Sequence, residues 1–276
     1  MKKKFFIFLL LLTGSIVLHA QQVASGYVFN DLNRNGKKER REAGIPNVAV
    51  SNGCDVVLTN EKGFYSLEVI EGNSIFVIKP AGYMTPVDED YIPMFVYHHK
   101  PQGSPESFTY KGVPPTGELP KLINFPLYEQ EEPTDFSVIV FGDPQPYSMQ
   151  DLHYFTEKIV KNVKVKENTL FGISLGDIVG DKLDLHPHYK ERMRLLELPW
   201  YNVMGNHDMN YDAPTDELSD ETFELNFGSA NYAFNWGNAH FIIIDNILYP
   251  DPRGGQGYWA GYREDQFQFL ENNLKH

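Results

Sequence analysis

Three short stretches carry side chains able to hold divalent cations: Asp143-Pro144-Gln145, Gly176-Asp177-Ile178-Val179-Gly180-Asp181 and Gly205-Asn206-His207-Asp208. Asp143, Gln145, Asp177 and Asn206 offer hard oxygen donors that suit Mn²⁺ or Mg²⁺, and a neighbouring histidine extends the range to Fe or Zn. Two cations that share a bridging carboxylate can clamp a phosphate and cover both its attacking and its leaving oxygen. In that arrangement Asp177 bridges, Asp143 and Gln145 serve one metal, and Asn206 serves the other. His207 fits the role of a donor to the phosphoryl oxygens and leaving group, with Asp208 orienting its ring.

The clusters are useful only if the fold brings them together, and the flanking sequence supplies a reason for it to do so. Phe136 to Gly142, Leu170 to Leu175 and Trp200 to Met204 are apolar runs that read as short buried strands, each ending in one of the clusters. Ligands of an open α/β sheet bind outside the carboxyl ends of its strands. About thirty residues separate successive clusters, enough for a βαβ crossover. Leu152, Phe155, Ile159 and Val163 recur at helical spacing in Asp151 to Val165; Met193 and Leu196 do so between Tyr189 and Leu198.

Met1 to Ala20 has a lysine-rich start, an apolar centre and a small-residue end, the pattern of a secretory signal peptide that is cleaved. It predicts a periplasmic or secreted protein, and no later stretch is apolar enough to span a membrane. The formal net charge is −13, and removing the lysines of the leader makes the remainder more acidic. Such a chain lacks the clustered Lys and Arg of a nucleic-acid-binding patch, and its phosphate chemistry would require bound cations. Cys54 is the only cysteine, so no intrachain disulfide can form, and it reads as a buried structural thiol.

Residues 22–128 alternate short β-prone runs with turns such as Asn52-Gly53, Lys62-Gly63 and Gly72-Asn73, the texture of a β-sandwich. Asp31, Asn33, Asn35, Gly36 and Glu42 fit the spacing of a calcium loop, although a plain Asn/Gly turn has the same look. His98 and His99 are adjacent on a strand and point to opposite faces. Residues 129–135 read as an exposed linker, and residues 136–276 as the second domain. Its end, Glu264 to His276, reads as an amphipathic helix with Phe267, Leu270 and Leu274 toward the core.

Gly26 to Gly36, Glu42 to Val48 and Thr59 to Leu67 resemble the prealbumin-like or SdrD-B-like sandwich domains of exported bacterial proteins, which are accessory modules. The order D-x-[HQ], GDxxxD, GNHD resembles the calcineurin-like metallophosphoesterases, with Gln145 where many relatives have a histidine. Asn231 to Asp245, read as an alternating strand, a Gly-Asn turn and a buried strand, supports the resemblance. It implies a four-layer α/β/β/α fold, a dinuclear site of Mn, Fe or Zn, and hydrolysis of phosphate mono- or diesters by a metal-activated hydroxide. The family's later motifs, an isolated His and a Gly-His-x-His, do not occur: after His207 only His240, in a strand, and His276 remain. The second domain is therefore read as incomplete, the front portion of a longer enzyme that is weakly active or inactive by itself. A different class of protein has the same features: a non-catalytic envelope- or glycan-binding protein on a degenerate phosphoesterase scaffold.

Overall fold

The computed structural model describes residues 22–276; the signal peptide read at Met1 to Ala20 lies outside the described residues. The β-prone runs of the first half form β1 (Gln22–Asn30), β2 (Ala49–Ser51), β3 (Val56–Leu58), β4 (Phe64–Val69), β5 (Ser74–Val77), β6 (Tyr83–Met84), β7 (Val96–His98) and β8 (Phe125–Glu129). They pair into two four-stranded sheets, β4-β1-β8-β6 and β3-β2-β5-β7. Only β1 and β8 run parallel. Alternate residues of β4 are buried (Tyr65, Leu67 and Val69), as the period of two along a strand requires.

The three metal-cluster runs form β9 (Ser137–Phe141), β10 (Thr169–Leu175) and β11 (Trp200–Val203), a parallel sheet in the order β11-β10-β9. The connections carry α1 (Met149–Lys158) and α2 (His186–Met193). Helix α1 begins at Ser148, whose hydroxyl accepts the Asp151 N–H. It stops short of the predicted Val165 because the Asn162 amide takes the Glu157 carbonyl at 2.9 Å. Helix α2 starts earlier than its periodicity indicates, with Pro187 in its first turn, where a missing N–H costs nothing. One expectation fails here. β9 is half-exposed rather than buried, with Val140 53 % exposed.

After β11 come α3 (Glu221–Phe227), the hairpin β12 (Tyr232–Trp236) and β13 (Ala239–Ile243), the short pair β14 (Ile247–Leu248) and β15 (Trp259–Ala260), and α4 (Glu264–Asn273). Phe171 of β10 stacks on Trp236 at 5.7 Å and meets Tyr201, Phe234 and Phe241 edge-on. This seals the parallel sheet against the hairpin. Helix α4 is turned relative to its apolar pattern: Phe267 and Leu274 are exposed, while Gln266, Phe269 and Asn273 are buried. The polar residues set that rotation. Gln266 donates to Asn231 Oδ1 at 3.0 Å and to the Asp245 carbonyl at 2.8 Å, and Asn273 sits 2.9 Å from His240.

The two halves share one hydrophobic core. Phe76 meets Phe269 at 5.7 Å and Phe95 meets Tyr232 at 5.0 Å. Residues 129–135 are correspondingly more than an exposed linker: the Glu132 carboxylate is buried 2.6 Å from the Lys79 ammonium. Lys79 also donates to the Asn235 carbonyl at 2.6 Å and lies 3.9 Å above the Trp236 ring. Burial pulls the Lys79 pKa down to about 8, against the pull of Glu132. Cys54 is half-buried, not buried, and its thiol pKa is raised by burial and by Asp55 and Asp265.

Candidate metal centre

The carboxyl ends of β9, β10 and β11 lie side by side, so the loops that follow them meet. The Gln145 N–H donates to the Asp177 carbonyl at 2.9 Å, and the His207 N–H donates to Asp177 Oδ1 at 3.2 Å. All three clusters therefore touch Asp177. Gly205 is required at this junction, because a Cβ there would collide with the Asp177 backbone and carboxylate. Asp143, Gln145, Asp177 and Asp181 all adopt positive φ, between 44° and 61°. Non-glycine residues bear this conformation only where the surroundings impose it, and such positions gather at functional sites.

The donor chemistry fits a cation. Burial raises the Asp177 pKa above the ordinary carboxylate range, the His207 N–H opposes that rise, and the adjoining Asp143 carboxyl adds to it. Two carboxyls facing each other repel when both are ionised, and a divalent ion removes the conflict. Asp143, Gln145, Asp177 and Asn206 would hold it. A second acidic group, Asp220, Glu221 and Glu224, has ligand atoms within 4.8 Å of one another. The Lys100 ammonium already occupies it, 2.7 Å from Glu221 and paired with Glu224, so this group is a salt-bridge cluster.

The ring of His207 is oriented by a residue other than the one the sequence suggests. Its Nδ1 lies 2.7 Å from Asp181 Oδ1, which leaves Nε2 as the nitrogen available to a substrate. Tyr147 stands edge-on at 6.2 Å. Asp208 is fully buried and works elsewhere, accepting the N–H groups of Ile178 at 3.0 Å, Val179 at 3.2 Å and Gly205 at 2.9 Å. His186 Nε2 lies 3.1 Å from the same carboxylate. Asp208 thus ties the second loop to the third. The signal for Asp181 was its place four residues after Asp177; His186, at the start of α2, left no signal in the sequence.

The remaining candidates lie apart from this centre. Asp31 and Glu42 are buried, and their carboxylates accept backbone N–H groups: Asn35 and Gly36 for Asp31, Leu32 and Glu39 for Glu42. Asn33 accepts the Asn35 N–H and Asn35 the Lys37 N–H. His98 faces Ser74 and Glu224 while His99 faces Gln22, so the pair serves two separate sites. His240, on β13 of the hairpin, lies between Asn235 of β12 and Asn273 of α4. A cleft of about 700 Å³ opens beside Asn206 and His207. No helix of the described residues is long and apolar enough to cross a membrane.

Comparison with known proteins agrees with the geometry. Residues 136–272 match the family model described as calcineurin-like phosphoesterase, and residues 32–113 match the model described as the N terminal of calcineurin-like phosphoesterase. No curated protein matches the chain.

Proposed function

We propose that this chain, which belongs to the calcineurin-like phosphoesterase family, is an exported metal-dependent phosphohydrolase of phosphate mono- or diesters. In this reading residues 22–128 are an accessory β-sandwich, residues 129–135 join it to the catalytic part, and residues 136–276 belong to a four-layer α/β/β/α domain. The convergence of three strand ends on Asp177, with the Asp143 carboxyl against it, is the observation that carries the reading.

Asp143, Gln145, Asp177 and Asn206 would hold two divalent ions, which supply positive charge to the phosphate oxygens and acidify water. The protein's own groups do the rest. Asp181 fixes the His207 ring through Nδ1, so that Nε2 can donate to a phosphoryl oxygen or to the departing alcohol. Asp208 keeps the two ligand-bearing loops in register. Calcium at Asp31, Asn33, Asn35 and Glu42 is a separate part of the proposal, supported by two buried carboxylates whose bonds are to neutral N–H donors.

The test is hydrolysis of 4-nitrophenyl phosphate and bis(4-nitrophenyl) phosphate by the purified chain with Mn²⁺ and after chelation. Weak metal-dependent turnover that is lost in Asp177→Asn is expected. Turnover indifferent to both chelator and substitution would overturn the reading. Amino-terminal sequencing of the protein recovered from the cell envelope and medium tests export, which predicts a mature end near Gln21.

A further inference from the structure

The cleft beside the metal centre has walls from four separate parts of the chain, one of them the loop after β10 that bears Asp181. Thr109 and Tyr110 come from the first half, Met209, Tyr211 and Asp212 from the loop after β11, and Tyr258 from the segment before β15. The loop that bears Tyr110 is held in place. The Thr109 N–H donates to Asp212 Oδ2 at 2.6 Å, Ser104 donates to Glu221, and Lys100 is paired to Glu221 and Glu224 in the α3 segment. Tyr211 is fixed as well, its hydroxyl on the Asn206 carbonyl at 3.0 Å and Tyr249 edge-on at 5.7 Å. It thereby connects the cleft wall to a residue of the metal centre.

The chemistry of the lining is selective. Tyr211 and Tyr258 are about two-fifths exposed and Tyr110 is half-buried, so three rings surround one cavity. The charged side chains that line it are Asp181 and Asp212, and no Lys or Arg joins them among the described residues. Flat apolar groups stack favourably on such rings. A second phosphate would face carboxylates without a cation to receive it, and like charges at close range oppose binding.

We propose that this cleft is the subsite for the alcohol of the ester. It selects alcohols that carry a planar ring and no second anionic group, and Tyr110, from the accessory half, is a specificity-determining residue. This rests on the phosphoesterase reading, and the first half thereby becomes a wall of the substrate site.

The test compares benzyl phosphate, ethyl phosphate and 1,3-propanediol bisphosphate, the first two being esters of primary alcohols of similar acidity. Expected is a kcat/KM for benzyl phosphate about two- to tenfold above ethyl phosphate, the scale of one ring contact, with the bisphosphate poorest. Tyr110→Ala should bring the benzyl-to-ethyl ratio toward one, and Tyr258→Ala, at an exposed position, should do so without disturbing the core. A wild-type ratio near one, or a ratio that survives both substitutions, overturns the proposal. If no ester is hydrolysed, the failure lies in the turnover of this chain and leaves the subsite to a binding measurement. Calorimetric binding of benzylphosphonate against ethylphosphonate then decides: a preference lost in Tyr110→Ala supports the subsite, and equal binding overturns it.

Discussion

Replacing Asp208 distinguishes a frame from a catalytic partner. Its buried carboxylate accepts three backbone N–H groups and lies 3.1 Å from His186 Nε2. Asp208→Ala leaves three donors without an acceptor. Each hydrogen bond to a charged group is worth about 1.5–3 kcal/mol, but loops relax, and single substitutions rarely exceed about 4–5 kcal/mol. A loss of about 3–5 kcal/mol is expected. Asp208→Asn keeps one carbonyl oxygen while turning an NH2 toward existing donors, so about 2–3 kcal/mol is expected for it. In a chain of this size each kcal/mol lowers Tm by about 2–4 °C, which puts the Asn variant about 4–12 °C below the parent. Urea unfolding followed by tryptophan fluorescence measures this, since Trp200 is buried in β11. Unchanged urea and thermal midpoints in Asp208→Asn, with turnover selectively lost, would refute the frame argument and return Asp208 to the role of His207 partner.

Asp181 should behave in the opposite way. Its side chain is half exposed, so Asp181→Asn is expected to shift stability by no more than about 0.5 kcal/mol while lowering kcat roughly ten- to a hundredfold through the misdirected His207 ring; equal kcat would remove it from the site. Burial lifts the Asp245 pKa to about 7, so the folded protein keeps a proton that the unfolded chain releases near pH 4. Stability on this account falls as pH rises between those values and is level above them. Asp245→Asn should therefore melt several degrees higher than the parent at pH 8, a difference that vanishes near pH 4, and a pH-independent difference would contradict the assignment. Lys79→Met leaves the buried Glu132 carboxylate without its cation and should cost about 3–5 kcal/mol, read as a lower urea midpoint for the whole chain; independent melting of the two halves would speak against the shared core. Calcium should raise the melting temperature of the parent but not of Asp31→Ala, and the absence of any rise in the parent removes that ion.

The local sequence determined much of this protein. The apolar runs before Asp143, Asp177 and Asn206 have no strong alternative to short strands, and crossovers of that length make them parallel. Clusters at their ends then meet whatever the details of packing. The turns of the first half and the Gly237-Asn238 hairpin were legible for a similar reason, since turn chemistry is set by a few neighbouring residues. What the sequence left undecided depended on contacts distant along the chain. The motif pattern assigned the His207 ring to Asp208, its neighbour in sequence. Only the packing of the second loop against the third gives Asp181 the imidazole and sends Asp208 into the backbone. The rotation of α4 follows from Gln266 reaching Asn231 and Asp245, and the burial of Glu132 from Lys79, partners no periodicity can indicate. Tyr110 stands beside the metal centre because the two halves close on one core, which requires the free energy of the whole fold.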